Sequence, residues 1–274
     1  MTLLTTLTYL LLTVSASQMR LSDDQKLAVL HEAQIAYENG IELQTADPVA
    51  SKDSFRRAAN RYQVLVDDGV ENGMLWYNLG NSQLLSENIG EAIVAYRMGQ
   101  RYIPSDGRLT ANLQFARSLV ANSVKKENTI SILRRLAFWH DALPTKVRLT
   151  IGLLLWFSCW TLFSVRLFRT IATFKTTSIL LGIAVVALSF SVAHDILDQH
   201  RSNGVLIESE VTVRKGNGEH FAPLFTDPIH EGIEFEILEQ RPDWLHIKLP
   251  NGSTGWIQEK DAIIVSRKNK LTLG

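Results

Sequence analysis

The sequence predicts a multidomain protein: an all-α superhelix, then a two-helix transmembrane hairpin, then a small all-β barrel. Three observations predict this order. Residues 21–122 are polar with helical periodicity, 149–168 and 176–195 are apolar runs of membrane-spanning length, and 203–266 break into short alternating strands. A chain of 274 residues is long enough for two modest domains with anchors.

Charge and cysteine content narrow the function classes. The chain has 28 basic and 28 acidic residues, but 204–265 has eleven acidic and five basic residues, a net charge of −6. Such a segment repels polyanions, which argues against nucleic acid as a partner. Cys159 is the only cysteine and the seven histidines are scattered, so the sequence predicts no metal site, no cofactor and no catalytic residue. We expect a protein that is not an enzyme.

The first residues predict a signal peptide over 1–16. Leu3 to Val14 is a short apolar stretch, and Val14-Ser15-Ala16 supplies small residues suited to cleavage. The usual positive amino-terminal region is missing. An uncleaved anchor and a wrongly assigned start are the alternatives.

The helical region contains the spacing of a tetratricopeptide (TPR) repeat, which it resembles. Two antiparallel helices that cross closely need small residues at the contact, aromatic and leucine side chains beside it, and a proline where the second helix ends. The residues at these positions are Trp76, Leu79, Gly80, Ala92, Tyr96 and Pro104.

Part of the same pattern occurs 34 residues earlier in the sequence. Ala58 and Tyr62 repeat the small and aromatic pair, after a first helix at about Asp24 to Leu43 and an insertion at Thr45 to Asp53. A further helix, Arg108 to Leu119, is expected to close the stack. The alternative is an ordinary helical bundle.

The two apolar runs predict a transmembrane hairpin. Leu149 to Val165 and Thr176 to Ala193 contain no charge, and each covers about 26–27 Å as a helix, near the hydrocarbon thickness of a bilayer. The alternative is a buried hairpin in a soluble domain.

The connection between the runs predicts orientation. Its bases are Arg166, Arg169 and Lys175, and the positive-inside rule places such a loop in the cytoplasm. Both flanking domains then face the periplasm of a multi-pass protein in the bacterial inner membrane. Four bases before the first run argue the other way: Arg134, Arg135, Lys146 and Arg148. An interfacial amphipathic helix over 129–142 accounts for some of them.

The last region resembles a bacterial SH3 domain (SH3b, type 3), a small all-β barrel. A strand-like stretch from Glu208 to Gly218 opens it, and Trp244 to Leu249 alternates as a half-buried strand. Asn251-Gly252 predicts a type I′ hairpin turn. Gly216 and Gly218 are expected to adopt positive φ in a tight loop.

The order of signal peptide, TPR, paired spans and SH3 domain resembles the BatE family, encoded in bacterial aerotolerance operons. Local stretches that resemble it are 76–81, 111–117 and 138–140. The resemblance implies partners among von Willebrand factor A (VWA) domain membrane proteins and a MoxR-type ATPase, in oxygen or envelope stress tolerance.

Four polar positions are candidates for binding a peptide on the concave face of the repeat. Tyr77, Asn81, Arg108 and Asn112 fall near the positions where carboxylate-clamp repeats hold a partner's C-terminus, although Tyr77 stands where the clamp has a lysine. The alternative is a set of solvated polar side chains.

Trp244 and Trp256 are the ligand candidates of the SH3-like region, Trp244 as an exposed aromatic and Trp256 chiefly as a structural one. The sequence therefore predicts a membrane-anchored scaffold for envelope proteins, with the lipid bilayer and peptide segments as partners. The alternative is a protein that binds or senses the cell wall (peptidoglycan) through its SH3 domain.

Overall fold

The structure is a computed structural model that describes residues 20–120, 143, 145–168, 173–199 and 203–265. Three predictions lie outside the described residues: the signal peptide at 1–16, the interfacial helix at 129–142, and the connection around 169–172 that gives the orientation. The described chain has a helical part, two long apolar helices and a small sheet, as the sequence predicts.

The helical part contains five helices, each packed chiefly on its neighbours along the chain. They are α1 (Asp23–Leu43), α2 (Pro48–Asp67), α3 (Gly73–Leu85), α4 (Ile89–Tyr102) and α5 (Gly107–Leu119). The predicted first helix and closing helix are both present. Side-chain caps begin four of the five helices, and α4 has no cap from its own N-cap residue, Asn88.

The insertion expected at Thr45 to Asp53 is wrong. Helix α2 begins at Pro48, and the Asp47 carboxylate accepts a hydrogen bond from the Ala50 amide at 3.0 Å. An aspartate N-cap followed by proline at the first helical position is a helix start, because proline there loses no hydrogen bond. Only a short turn therefore separates α1 from α2.

Two long helices follow, α6 (Thr145–Phe168) and α7 (Thr173–Gln199), packed against each other. Val147–Val165 and Thr176–Ala193 are long and apolar enough to cross a membrane, and only 6% of each window is buried. Arg148, itself 3% exposed, donates hydrogen bonds to the backbone oxygen of Leu143 (3.0 Å) and to the side chain of Ser191. This contact joins the start of the first span to the end of the second.

The C-terminal part is an open five-stranded antiparallel sheet in the order β4-β3-β2-β1-β5. The strands are β1 (Asn203–Leu206), β2 (Glu234–Arg241), β3 (Trp244–Lys248), β4 (Thr254–Gln258) and β5 (Ala262–Val265), with a 3₁₀ turn, Glu259–Asp261, before the last. Its core includes Phe235, Leu245, Ile247 and Ile257. A long loop, 207–233, connects β1 to β2.

The opening strand was predicted in the wrong place. The sheet begins at Asn203, and the stretch from Glu208 to Gly218 belongs to the long loop, held by isolated bridges such as Val211 to Ile229. Gly216 does not adopt positive φ. It is glycine because a Cβ there would lie 2.6 Å from the Phe221 ring. Gly218 also lacks positive φ. It too is glycine because of close packing, since a Cβ there would lie 2.7 Å from the His220 ring.

The hairpin between β3 and β4 also differs from the prediction. Gly252 has φ +85°, but Asn251 does not have positive φ, so the turn is not type I′. The Gly252 amide donates to Leu249 O at 2.9 Å, which places Pro250 at the second turn position. Proline fixes a negative φ, which favours a type I turn followed by a left-handed glycine.

The helical part and the sheet share one hydrophobic core. Val205 of β1 and Val265 of β5 are 1% and 5% exposed, and they belong to the same buried cluster as Tyr96 of α4 and Leu113 of α5. A Cβ on Gly90 would lie 2.5 Å from the backbone oxygen of Leu206. The two parts therefore form a single folded head, the name used below for 20–120 together with 203–265.

Two glutamates of the sheet part bind the helical part. Glu231 accepts a hydrogen bond from the Gly90 amide at 3.0 Å, and so supplies from a distant segment the acceptor that the start of α4 lacks. Glu234 accepts two hydrogen bonds from Arg117, at 2.7 and 2.9 Å, and lies 3.3 Å from Arg97. These contacts fix the position of the sheet relative to α4 and α5.

Candidate functional site

The structure brings together the four side chains predicted to bind a peptide. Asn112 Nδ2 of α5 donates to Asn81 Oδ1 of α3 at 2.8 Å and lies 3.4 Å from the Tyr77 hydroxyl. The Arg108 guanidinium lies 5.6 Å from the centre of the Tyr77 ring. The four side chains therefore lie together where α3 and α5 face each other, and we call this surface the α3–α5 groove.

Close packing on α4 positions the two walls of the groove. A Cβ on Gly80 would lie 2.6 Å from the Tyr96 ring, and one on Gly99 would lie 2.6 Å from Leu109. A side chain at position 80 would collide with an aromatic ring, and one at position 99 would displace the flexible end of Leu109, so both glycines favour close approach of the helices. The structure places Gly80 where α3 crosses α4, against the Tyr96 ring.

Tyr96 of α4 lies buried beneath the α3–α5 groove. Its side chain is fully buried, and its hydroxyl donates to Asn81 Oδ1 at 2.8 Å. Burial raises the pKa of the Tyr96 hydroxyl, so the group stays a neutral donor. Asn81 Oδ1 thus accepts from both Tyr96 and Asn112, and one network joins α3, α4 and α5.

The charged end of the groove is paired within α5. Asp106 accepts hydrogen bonds from the Arg108 side chain at 2.8 and 3.4 Å, and also from the backbone amides of Arg108 and Leu109. The Arg108 guanidinium and these amides lower the pKa of Asp106 to about 2. Asp106 is therefore both the N-cap of α5 and the counter-ion of Arg108.

The sequence interpretation missed two residues that contact Arg108, namely Met74, whose Sδ lies 3.8 Å away, and Asp106. It also missed two apolar residues farther along α5, Phe115 and Leu119, which are 56% and 44% exposed. A signal for Phe115 and Leu119 exists in the sequence, because they follow Arg108 by seven and eleven residues and therefore share its helical face. The position of Asp106 as a helix N-cap was also readable from the sequence.

The two candidate tryptophans lie on neighbouring strands of the sheet. Trp256 is 8% exposed and stacks on His246 at 4.8 Å, with the Arg241 guanidinium 4.9 Å from its ring centre. Trp244 is only partly buried at the start of β3, opposite Gln258. Trp256 therefore has a packing role in this structure, and Trp244 keeps an accessible surface.

Among the described residues, no three His, Cys, Asp or Glu side chains are placed to hold a metal ion. The chain matches no protein-family model, and the search of curated proteins found no match.

Proposed function

We propose that this chain is a membrane-anchored protein–protein interaction scaffold of the bacterial envelope, with a TPR-like helical part and an SH3-like sheet in one periplasmic head. The helix pairs with their glycine contacts support the first likeness. The strand order and the 3₁₀ turn before β5 support the second. We also propose kinship with the BatE family, with VWA-domain membrane proteins and a MoxR-type ATPase as the partner classes.

The observation that carries the proposal is the core shared by the helical part and the sheet. Val205 and Val265 pack with residues of α4 and α5, so the two parts cannot lie on opposite sides of a bilayer. Two candidate spans lie between them, and an even number of crossings returns the chain to its starting side. Only residues 200–202 separate α7 from β1, a reach of about 14 Å. The head therefore stays near the membrane surface.

Cysteine labelling tests the arrangement. In a Cys159→Ala background, single cysteines at Gln114 and Lys215 should both react with a membrane-impermeant maleimide on intact spheroplasts. A cysteine at Thr170 should react only after permeabilisation. Labelling of either head position only after permeabilisation would contradict the periplasmic head.

Photo-crosslinking tests the scaffold function. A photoreactive amino acid at Asn112, inside the groove, should form adducts with other membrane or periplasmic proteins in native membranes. The same group at Asn60, on the exposed surface of α2, is the matched control. Absence of groove-specific adducts would count against a scaffold that uses this groove.

A further inference from the structure

One face of α5 changes from polar to apolar along its length. Arg108, Asn112, Phe115 and Leu119 lie within about 60° of one another around the helix and span about 17 Å along it. Tyr77 and Met74 of α3 lie beside the Arg108 end. Exposed apolar surface therefore continues from the four predicted residues towards the C-terminal end of α5.

The groups that a carboxylate would need are already engaged. Arg108 is bound by Asp106 at 2.8 Å, and the Asn112 amide donates to Asn81. The described contacts bring one cation and one anion to the groove, and these neutralise each other. A ligand carboxylate at this end would compete with an internal carboxylate that two backbone amides also hold in place.

We propose that the α3–α5 groove binds an uncharged apolar segment of a partner protein, and that Asp106 excludes C-terminal carboxylates by occupying Arg108. The proposal rests on the peptide-binding function proposed above and specifies its ligand. Charge complementarity supports this occupant, because a neutral polar end followed by Phe115 and Leu119 offers no unpaired charge to an ionic ligand. An extended segment of about five residues covers the stripe.

The central test uses two fluorescein-labelled peptides of one uncharged, leucine- and phenylalanine-rich sequence of about six residues. One peptide ends in an amide and the other in a free carboxylate. The full chain is purified in detergent, and binding is followed by fluorescence anisotropy. We expect equal affinity for the two peptides.

The informative variant is Asp106→Asn. Asparagine caps a helix as well as aspartate does, so α5 should remain folded while Arg108 loses its counter-ion. The variant should prefer the free-acid peptide by about tenfold, which corresponds to about 1.4 kcal/mol. Asp47→Asn makes the same change at the N-cap of α2 and should leave both affinities unchanged.

A second pair of variants tests the apolar end. Phe115→Ser should weaken both peptides by about tenfold, since a central aromatic contact often dominates binding of this kind. Leu27→Ser removes an exposed apolar side chain of α1 that is 64% exposed, and should change neither affinity.

The outcomes separate the two proposals. A wild-type preference for the free acid, or no preference in Asp106→Asn, would overturn the exclusion by Asp106 and leave peptide binding standing. Binding of neither peptide would overturn both proposals. Loss of binding on transfer to lipid nanodiscs would assign the stripe to the bilayer. Self-association that Phe115→Ser abolishes would assign it to a second copy, and either result would overturn the proposal.

Discussion

Two helix pairs of this chain, α3 with α4 and α6 with α7, have the same antiparallel arrangement, but their large side chains point in opposite directions. In the first pair the large side chains point inward, and Leu79 and Tyr96 are 2% and 0% exposed. In the second pair the large side chains point outward, and Phe157 and Phe190 are 61% and 74% exposed.

The two helix pairs differ in this way because their surroundings differ. Helices in water bury an apolar stripe, whereas lipid solvates apolar side chains as well as a protein core does. The glycines show the same contrast. A Cβ on Gly80 would collide with Tyr96, while one on Gly182 of α7 would meet nothing within 4 Å. The apolar surface of the hairpin therefore fits a bilayer.

Adding a side chain at Gly80 should lower stability more than any other change considered, whereas the same change at Gly182 should not. Gly80→Val should destabilise the head by about 3 kcal/mol, because the added methyl groups force α3 away from the Tyr96 ring. Gly182→Val should change stability by less than about 0.5 kcal/mol. Thermal unfolding of the purified full chain, followed by circular dichroism, measures both. Equal losses in the two variants would remove the contrast between the helix pairs.

A smaller effect is expected at the polar contact of the hairpin. Ser191→Ala removes the side-chain acceptor of Arg148 and should cost about 1 kcal/mol, typical of a hydrogen bond between membrane helices. Ser158→Ala is the matched control, because its hydroxyl bonds only to Leu154 of the same helix. Unfolding titrations in bicelles provide the measurement. A loss at Ser158 as large as that at Ser191 would show that the contact between the helices contributes nothing.

The smallest effect is a pH dependence of the head. Burial raises the pKa of Glu91, and the negative charges of Glu231 and Glu208 raise it further. Burial also raises the pKa of Asp261; Glu208 adds to this increase and the positive charge of Lys260 reduces it. An acid whose pKa is raised on folding binds its proton more tightly in the folded state, so stability increases as pH falls through the folded value.

The melting temperature of the head should therefore rise as pH falls from 7 towards 4.5, the ordinary pKa of a glutamate. Asp106, with its pKa lowered to about 2, opposes this only at much lower pH. Glu91→Gln should flatten the profile, and melting curves at three pH values test this. A steady fall in melting temperature over this interval would contradict the assignment.

Much of the architecture was predictable because it follows from local patterns. The helix Arg108 to Leu119 was found from periodicity, and the strand at Trp244 from alternation, each within two residues of its observed bounds. The errors arose where one residue type has two uses. Pro48 lies in the predicted insertion but begins a helix, and Gly216, predicted to have positive φ, instead leaves room for the Phe221 ring.

The candidate groove was predictable only in part. Asn81 and Asn112 are 31 residues apart, and their position in a repeat pattern was enough to place them on neighbouring walls. The pairing of Arg108 with Asp106 was not anticipated, since a charged side chain two residues from a helix start has several partners of comparable energy. In the folded chain it pairs with Asp106 at 2.8 Å.

The local elements of this protein, including two apolar helices of membrane length, follow from its sequence, because periodicity and the absence of charge are properties of short segments. The packing of the sheet on α4 and α5 is visible only in the folded structure. That contact joins Gly90 to Glu231, 141 residues away, and no local pattern encodes it. It depends on surfaces that become complementary only after each part has folded, when the core they share excludes water.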